Sequence, residues 1–213
     1  MLVLDAVAVR VLGALIEKEA TTPEYYPLSK NALVNACNQK SNRNPVVEYD
    51  EDTVGDAIEG LRNAKLALMI TGNGRVTKYA QRISETLNLG RRELAVLGVL
   101  LLRGPQTLGE IKDRTERAYA FSELDEVERV LEKLAEWPDM PLVKKLGRLP
   151  GQKESRYAHL LAGEPAAEAE ESAPAAQGAP GSRLGALEEE VRSLRSALAE
   201  LTRRFEDLEA QFR

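Results

Sequence analysis

The repeating apolar residues near the C-terminal end constrain this chain more than any other feature of its sequence. Between residues 184 and 213, apolar side chains recur at alternating intervals of three and four residues, which is the period of a left-handed coiled coil. A lone helix of this kind would expose its whole apolar seam to water, so the pattern predicts pairing with another helix. The seam residues are Leu184, Leu187, Val191, Leu194, Leu198, Leu201, Phe205, Leu208 and Phe212.

The charges beside this seam predict how the helices pair. In a parallel dimer, each g position of the heptad faces the following e position of the partner helix. The charged contacts that this register predicts are Glu190 with Arg195 and Arg204 with Glu209. Both are attractive, so we expect a parallel, in-register homodimer. Because Phe205 and Phe212 fall at a positions, a trimer is left open.

The net charge of −5 comes from the C-terminal quarter of the chain. Acidic and basic residues balance over 1–163, whereas 164–213 carries all of the excess negative charge. Residues 163–183 consist almost entirely of small, acidic and helix-breaking residues, which cannot build a hydrophobic core. We therefore predict a flexible acidic linker over 163–183, and the overall charge neither supports nor excludes nucleic-acid binding.

The part of the chain before the linker has an internal repeat. Val11-Leu12-Gly13 recurs 85 residues later as Val96-Leu97-Gly98, each time in an apolar helical stretch. A threonine that leads towards a second helix follows each copy, as Thr22 and Thr107. Each copy then ends on the same dipeptide, with an offset of 78 residues: Tyr79-Ala80 and Tyr157-Ala158. The shared order predicts two related domains.

Each copy reads as three helices followed by a β-hairpin. In the first copy, Asp5, Ser29 and Asp50 are suited to begin the helices, and Gly72-Asn73-Gly74 provides a hairpin turn. In the second copy, the pattern predicts helices over 91–103, 107–114 and 123–136 and a hairpin over 142–160. We predict a mainly α fold with small β-hairpin wings (α+β): tandem winged-helix domains, a flexible linker and a C-terminal coiled coil. The predicted boundaries are 1–87 and 88–162 for the two winged-helix domains, 163–183 for the linker and 184–213 for the coil.

Several runs of residues in the two copies are distinctive. They are IEKEATTP at 16–23, YPLS at 26–29, ACNQKSNR at 36–43, VTKY at 76–79, LLLRG at 100–104, QT at 106–107 and ESRY at 154–157. Through them, most of residues 8–162 resembles the YceH-like family of bacterial proteins. The resemblance implies tandem winged helices in a soluble bacterial protein, often with a C-terminal coiled coil, and it implies no particular activity.

The sequence offers little material for catalysis. His159 is the single histidine and Cys37 the single cysteine, so no Ser/His/Asp set, Cys/His pair or cysteine-based metal site can be assembled convincingly. We expect a protein that is not an enzyme and has no cofactor or metal, with Cys37 buried and His159 packed on a strand. No apolar run approaches the roughly 18 residues of a membrane span, and the N-terminus lacks the basic segment of a signal peptide. These features predict a cytoplasmic protein that does not enter a membrane.

Nucleic-acid binding is the function that a winged helix suggests, but the third helices are acidic. Winged helices usually place the third helix in the major groove, where contacts with phosphate dominate affinity. Residues 50–65 carry a charge of −3 and residues 122–139 carry −5. Acidic residues also favour helix N-termini for local reasons, but in either case insertion of these helices into the groove is disfavoured.

Positive charge lies instead in a loop at 38–44 and in the two hairpins. We predict that these segments contact nucleic acid if any is bound. The alternatives are a solvated, turn-rich loop and hairpin charges that protect a strand edge. The candidate residues are Lys40, Asn42 and Arg43 in the loop, Arg75 and Lys78 in the first hairpin, and Lys144, Lys145, Arg148, Lys153 and Arg156 in the second.

Two functions are compatible with these patterns. The first is a dimeric DNA-binding or transcription-related protein that uses its hairpins and the 38–44 loop. The alternative is an adaptor whose acidic third helices bind a basic protein partner and which does not bind nucleic acid. In both cases the chain would pair with itself through the coiled coil.

Overall fold

The chain adopts an α+β fold in a computed structural model that describes residues 3–71, 76–148 and 154–165. Within these ranges it forms seven α-helices, one 3-10 turn and five short strands. All the described residues belong to one compact unit, 1–166. The predicted coiled coil, together with its seam and its charged pairs, lies outside the described residues and stays a prediction.

The first half begins with three helices, and the predicted capping residues start each of them. Side-chain oxygens of Asp5, Ser29 and Asp50 accept hydrogen bonds from the backbone N–H groups three residues later, which satisfies donors that a helix start leaves open. The elements of this half are α1 (Ala6–Thr21), a 3-10 turn (Pro23–Tyr25), β1 (Leu28–Ser29), α2 (Lys30–Cys37), α3 (Glu51–Asn63), β2 (Ala67–Ile70), β3 (Lys78–Gln81) and α4 (Ile83–Thr86).

The second half repeats three helices and a strand pair. Its elements are α5 (Arg91–Arg103), α6 (Leu108–Thr115), α7 (Leu124–Ala135), β4 (Val143–Lys145) and β5 (Tyr157–His159). Helix α5 ends at Gly104, whose φ of +71° suits a residue without a side chain. Helix α6 starts on a capping box formed by Thr107 and Glu110. The predicted helices and hairpin of this half are confirmed to within two residues at the helix ends.

Strand pairing shows how closely the two halves repeat each other. In the first half, β3 lies between β1 and β2, all antiparallel, and Leu28 pairs with Tyr79. In the second half, β4 pairs with β5, and Gln106 forms an isolated antiparallel bridge with Tyr157. Both members of the second pair lie 78 residues after those of the first. A single residue bridge therefore takes the place of β1 in the second half.

One part of the predicted repeat was wrong. Thr22 does not correspond to Thr107, because Thr22 ends α1 and bonds back to Lys18. The residue equivalent to Thr107 is Ser29, since each of them starts the second helix of its half. The first half has seven more residues before this point, and they include the 3-10 turn.

The two halves meet where α1 crosses α5, and each helix brings a glycine to the crossing. Gly13 of α1 faces Leu101 and Leu102 of α5, where an added Cβ would lie 2.9–3.0 Å from their side chains. Gly98 of α5 faces Ile16 of α1, where an added Cβ would lie 3.0 Å from the Ile16 Cγ2 atom. Since Gly98 and Leu101 follow Gly13 and Ile16 by 85 residues, the glycine of each Val-Leu-Gly run packs against residues that follow the other copy of the run. The closeness of the backbones at this point requires residues without side chains.

We predict that Gly13→Ala destabilises the protein by about 1–3 kcal/mol, because the new methyl group would overpack the α1–α5 crossing. Gly60→Ala is the matched control: Gly60 lies within α3 with no atom within 4 Å of an added Cβ. This change should raise the free energy of unfolding by about 0.5–1 kcal/mol, the ordinary gain of alanine over glycine in a helix. Urea denaturation of the full chain measures both values. Equal effects of the two substitutions would contradict the close crossing.

Candidate nucleic-acid interface

The second hairpin carries the exposed cations that the sequence predicted there. Lys144 and Lys145 lie on β4 and Arg148 lies just beyond it, all three exposed. Lys144 binds Glu164 with an N–O distance of 2.5 Å, and the Lys145 ammonium lies 5.5 Å from the centre of the Tyr157 ring. Within the described ranges, neither Lys145 nor Arg148 forms an ion pair. Among the described cations of this hairpin, these two side chains are therefore placed to meet an external anion.

Arg156 needs a correction, because its guanidinium group already has partners inside the protein. It donates to the Glu110 carboxylate over 2.9 Å and to the Pro105 carbonyl over 3.0 Å. The same Glu110 side chain also caps α6 by accepting from the Thr107 backbone N–H. Arg156 thus attaches the second hairpin to the start of α6, and a phosphate would have to compete with Glu110 for it.

Arg43 needs the larger correction. Its side chain is fully buried and forms two hydrogen bonds with the Glu17 carboxylate, of 3.1 and 2.6 Å. It also donates to the Ala36 carbonyl and to the Gln39 side-chain oxygen. Because the N–H groups of Arg43 bind within the protein and its side chain is not exposed, Arg43 cannot contact DNA phosphate. It anchors the 38–44 loop to α1.

The rest of the 38–44 loop links the two halves of the fold. The backbone N–H of Asn44 donates to the Leu102 carbonyl at 2.9 Å, and Arg103 donates to the Asn42 side-chain oxygen. The Asn38 amide exchanges two hydrogen bonds with the backbone of Tyr49. Asn42, predicted to read nucleic acid, is exposed but engaged with α5. Of the predicted loop residues, Lys40 alone is exposed without such a role.

A second arginine also fixes this region to α1. Arg10 of α1 is only 4% exposed, and it donates to the carbonyls of Cys37 and Pro45 over 3.3 and 2.5 Å. Burial and the neighbouring Arg43 lower the pKa of Arg10. Two buried guanidinium groups thus hold the segment from Cys37 to Pro45 in place. Arg10 binds the backbone carbonyls at its two ends, and Arg43 binds the Glu17 carboxylate and the Ala36 carbonyl.

The first hairpin is more apolar than the sequence suggested. Lys78 is exposed at the start of β3, opposite Ser29 in the sheet register. Met69, Ile70 and Val76 on the same hairpin are 42%, 41% and 59% exposed. The other predicted cations of the hairpins, Arg75 and Lys153, lie outside the described residues.

The third helices present carboxylates to solvent, as their sequences indicated. The exposed acidic residues of α3 are Glu51, Asp52, Asp56 and Glu59, and those of α7 are Asp125 and Glu132. Some carboxylates have internal partners: Glu59 binds Arg62 of the same helix at 2.6 Å. The remaining charge still gives both helices a surface that repels phosphate.

Sequence analysis did not identify the carboxylates that determine which cations are available. Glu17 lies 26 residues before Arg43, and Glu110 lies 46 residues before Arg156. The run IEKEATTP that contains Glu17 was noted for its resemblance to a family, and nothing in its spacing pointed to the 38–44 loop. The capping box at Thr107 offered a local signal for Glu110, but only for its role in the helix.

Comparison with known proteins places these features in a family. Residues 4–152 match the family described as "Protein of unknown function, DUF480". A UPF0502 protein of Solibacter usitatus is 56% identical over 206 residues, which cover 95% of this chain and 98% of the relative. UPF0502 proteins of Pelobacter propionicus and Geobacter sulfurreducens are 51% and 50% identical over 217 residues, each covering 99% of both chains.

The chain belongs to the DUF480 family, among the UPF0502 proteins.

The buried Cys37 and the half-buried His159 of this UPF0502 protein have displaced pKa values. Burial raises the pKa of the Cys37 thiol to about 12, against the smaller effects of Arg43 and Arg10, so the expected burial of Cys37 is confirmed. Burial lowers the pKa of His159 to about 4, and its Nδ1 atom has no hydrogen-bond partner among the described residues. The described residues contain neither a group of three His, Cys, Asp or Glu side chains that could hold a metal ion nor a helix suited to span a membrane.

We predict that Glu17→Gln destabilises this UPF0502 protein by about 3 kcal/mol, because it leaves the buried Arg43 cation without its carboxylate. Lys40→Ala in the same loop is the control and should change stability by less than about 0.5 kcal/mol. Chemical denaturation at pH 7 measures both. A Glu17→Gln protein as stable as the wild type would show that Arg43 is not held as described.

We further predict that His159 contributes to loss of stability in acid. Its pKa in the folded protein, about 4, lies below the ordinary value of about 6.5 expected in the unfolded chain. The unfolded chain therefore binds the proton first, and the contribution that is present above pH 6.5 is lost as the pH falls towards 4.

Between pH 7 and pH 4.5, the wild type should lose about 2 kcal/mol more than the His159→Gln variant. Urea denaturation of both proteins at the two pH values gives this difference directly. Identical pH dependences would mean that His159 is as well solvated in the folded protein as in the unfolded chain.

Proposed function

We propose that this protein is a non-enzymatic homodimer of tandem winged-helix pairs that binds duplex DNA through its second hairpins. The winged-helix reading is supported by the element order, three helices followed by a strand pair, which occurs twice, and by the resemblance to the YceH-like family. The coiled coil at 184–213 would join two chains. The placement of Lys145 and Arg148, exposed on one hairpin without an internal counter-ion among the described residues, carries the proposal.

In this proposal the mode of binding differs from insertion of the third helix. The exposed carboxylates of α3 and α7 would lie against phosphates if either helix entered the major groove, which is unfavourable. A hairpin that contacts the DNA sugar–phosphate backbone from outside the groove avoids this repulsion between carboxylates and phosphates. Such contacts position a protein on DNA without reading its sequence, so the proposed binding is weak and general, and it is strengthened by the two copies in the dimer.

The proposed contacts predict a measurable dependence on salt. Two chains that each place Lys145 and Arg148 on phosphates would neutralise four charges, which corresponds to a log–log slope of about −3.6 between affinity and salt concentration. Changing both residues to Glu should reduce affinity at least tenfold and flatten the slope. Arg129→Glu, on the exposed part of α7, is the control and should leave affinity within about twofold.

Fluorescence anisotropy with a labelled duplex, titrated from low to moderate salt, measures these quantities. No binding at low salt, or unchanged binding in the Lys145→Glu/Arg148→Glu variant, would refute DNA binding through the hairpin. A larger loss in Arg129→Glu would show instead that α7 contacts the nucleic acid.

A second candidate function is an adaptor that binds a basic protein partner. It is favoured by the exposed carboxylates of α3 together with the exposed Met69, Ile70 and Val76 of the neighbouring hairpin. Exposed acidic and apolar side chains suit a partner that presents lysine or arginine together with apolar residues. If duplex DNA fails to bind at low salt, this candidate replaces the first.

The coiled coil gives a prediction that holds for either candidate. The full chain should have twice the monomer mass in solution at micromolar concentration, because the seam buries its apolar residues only when helices pair. A chain that ends at Gly181 should be monomeric. Light scattering after gel filtration measures both masses; a monomeric full chain, or a dimer that survives the truncation, would contradict dimerisation through the coil.

A further inference from the structure

A groove of about 800 Å³ runs along α5 between the end of α1 and the end of α6. Its floor is one stripe of α5, in which successive residues are spaced by one or three positions: Leu94, Ala95, Gly98, Val99 and Leu102, with Arg91 and Arg103 at the two ends. At ~1.5 Å per residue, the stripe is about 18 Å long. The volume of the groove falls within the usual range for small-molecule sites, which are commonly lined by apolar side chains with a few polar groups.

The carboxylates on the α1 side of the groove already have partners. Glu17 is bound by Arg43 at 2.6 Å, and Glu19 accepts a hydrogen bond from the Gln81 amide at 2.7 Å. On the opposite side, Asp113 and Glu116 line the groove but are exposed to solvent, where their charges are strongly screened. Within the described residues, none of these four carboxylates forms an ion pair with the arginine at the C-terminal end of the floor.

Arg103 is that arginine, and its surroundings favour an added anion. It is half-buried, and its described hydrogen bond is to a neutral partner, the Asn42 side chain. Burial lowers its pKa, and the nearby guanidinium groups of Arg114 and Arg43 lower it further. The carboxylates of Glu17 and Glu110, which are paired with Arg43 and Arg114, raise the pKa of Arg103, but by less. The three guanidinium groups outnumber these two carboxylates, so a negative group would be attracted to this partly dry site, where electrostatic interactions are stronger than in water.

We propose that the groove binds an elongated organic anion, whose apolar body lies along the floor of α5 and whose carboxylate or phosphate group lies against Arg103. The charged end gives the orientation, and the apolar stripe gives most of the contact area. This site stands apart from the second hairpin and does not depend on DNA binding.

Isothermal titration calorimetry of the full chain tests the site with three probes that share a ten-carbon body: decanoate, decyl phosphate and decyltrimethylammonium. At least one of the two anions should bind with one site per chain, and at least tenfold more tightly than the cation. The tighter of the two anions identifies the preferred head group. No saturable binding of either anion, or equal binding of the cation, would overturn the proposal.

Two variants separate the cation from the hydrogen bond it makes. Arg103→Gln should weaken the better anion at least tenfold and remove the preference over decyltrimethylammonium. Asn42→Gly removes the partner of Arg103 but keeps its charge, and glycine accepts the positive φ of 60° at this position. This control should retain anion binding within about threefold; a loss as large as in Arg103→Gln would mean that the loop contact, and not the cation, supports binding.

Val99→Trp tests whether the apolar floor holds the ligand body. Val99 lines the groove and is only partly buried, so the larger side chain would extend into the open space. Binding of the better anion should fall at least tenfold while circular dichroism and the melting temperature stay near the wild-type values. Unchanged binding in a folded Val99→Trp protein would overturn the proposed position along α5.

The chain's own acidic segment is the competing occupant. Changing Glu168, Glu170 and Glu171 to Gln in the full chain removes three of its charges. Under the proposal, this variant binds the anion as the wild type does. A tenfold gain in affinity would show that the segment occupies the groove, and it would overturn the assignment to a separate small molecule.

Discussion

The contact between α1 and α5 depends on two glycines that leave room for the opposite helix. Gly13 admits Leu101 and Leu102, and Gly98 admits Ile16. Since the two sets are related by the internal repeat, the contact is approximately two-fold, as in an interface between identical chains. A side chain at either glycine would require the facing residues to shift and would weaken the contact between the two halves. The groove on α5 begins beside this crossing, since Gly98, Leu102 and Ile16 line it as well.

The 38–44 loop reinforces this crossing, and that role accounts for the buried arginines. Arg43 binds Glu17 on α1, while Asn44 and Asn42 reach the end of α5. A loop with cations and amides has the composition of a nucleic-acid contact, but here most of these polar groups bind within the protein. Of the predicted nucleic-acid cations that the structure describes, most of those left exposed lie on the second hairpin, as Lys144, Lys145 and Arg148. The acidic third helices face solvent. The proposed DNA contact and the proposed anion site therefore use different cations.

The fold was predictable to the extent that its signals are local. Side chains of Asp5, Ser29, Asp50 and Thr107 mark helix starts, and Gly104 marks the end of α5, so helix bounds came out within two residues. The internal ion pairs of Arg43 and Arg156 were not predictable, because their carboxylate partners lie 26 and 46 residues away in the sequence. The groove was not predictable either. The apolar stripe of α5 has the pattern of an ordinary core-facing helix, and which part of it lines a groove depends on how α1 packs against α5. The error at Thr22 arose from a seven-residue difference in length that short identities do not reveal.

We expect the two halves to form one cooperative unit, because α1 and α5 pack closely at their crossing. Native-state hydrogen exchange of the full chain measures the free energy at which each helix opens. The slowest amides of α1 and α5 should exchange with the same free energy and the same dependence on denaturant, through one global unfolding event. If the α5 amides stay protected under conditions where those of α1 have exchanged, the two halves unfold separately and do not form one cooperative unit.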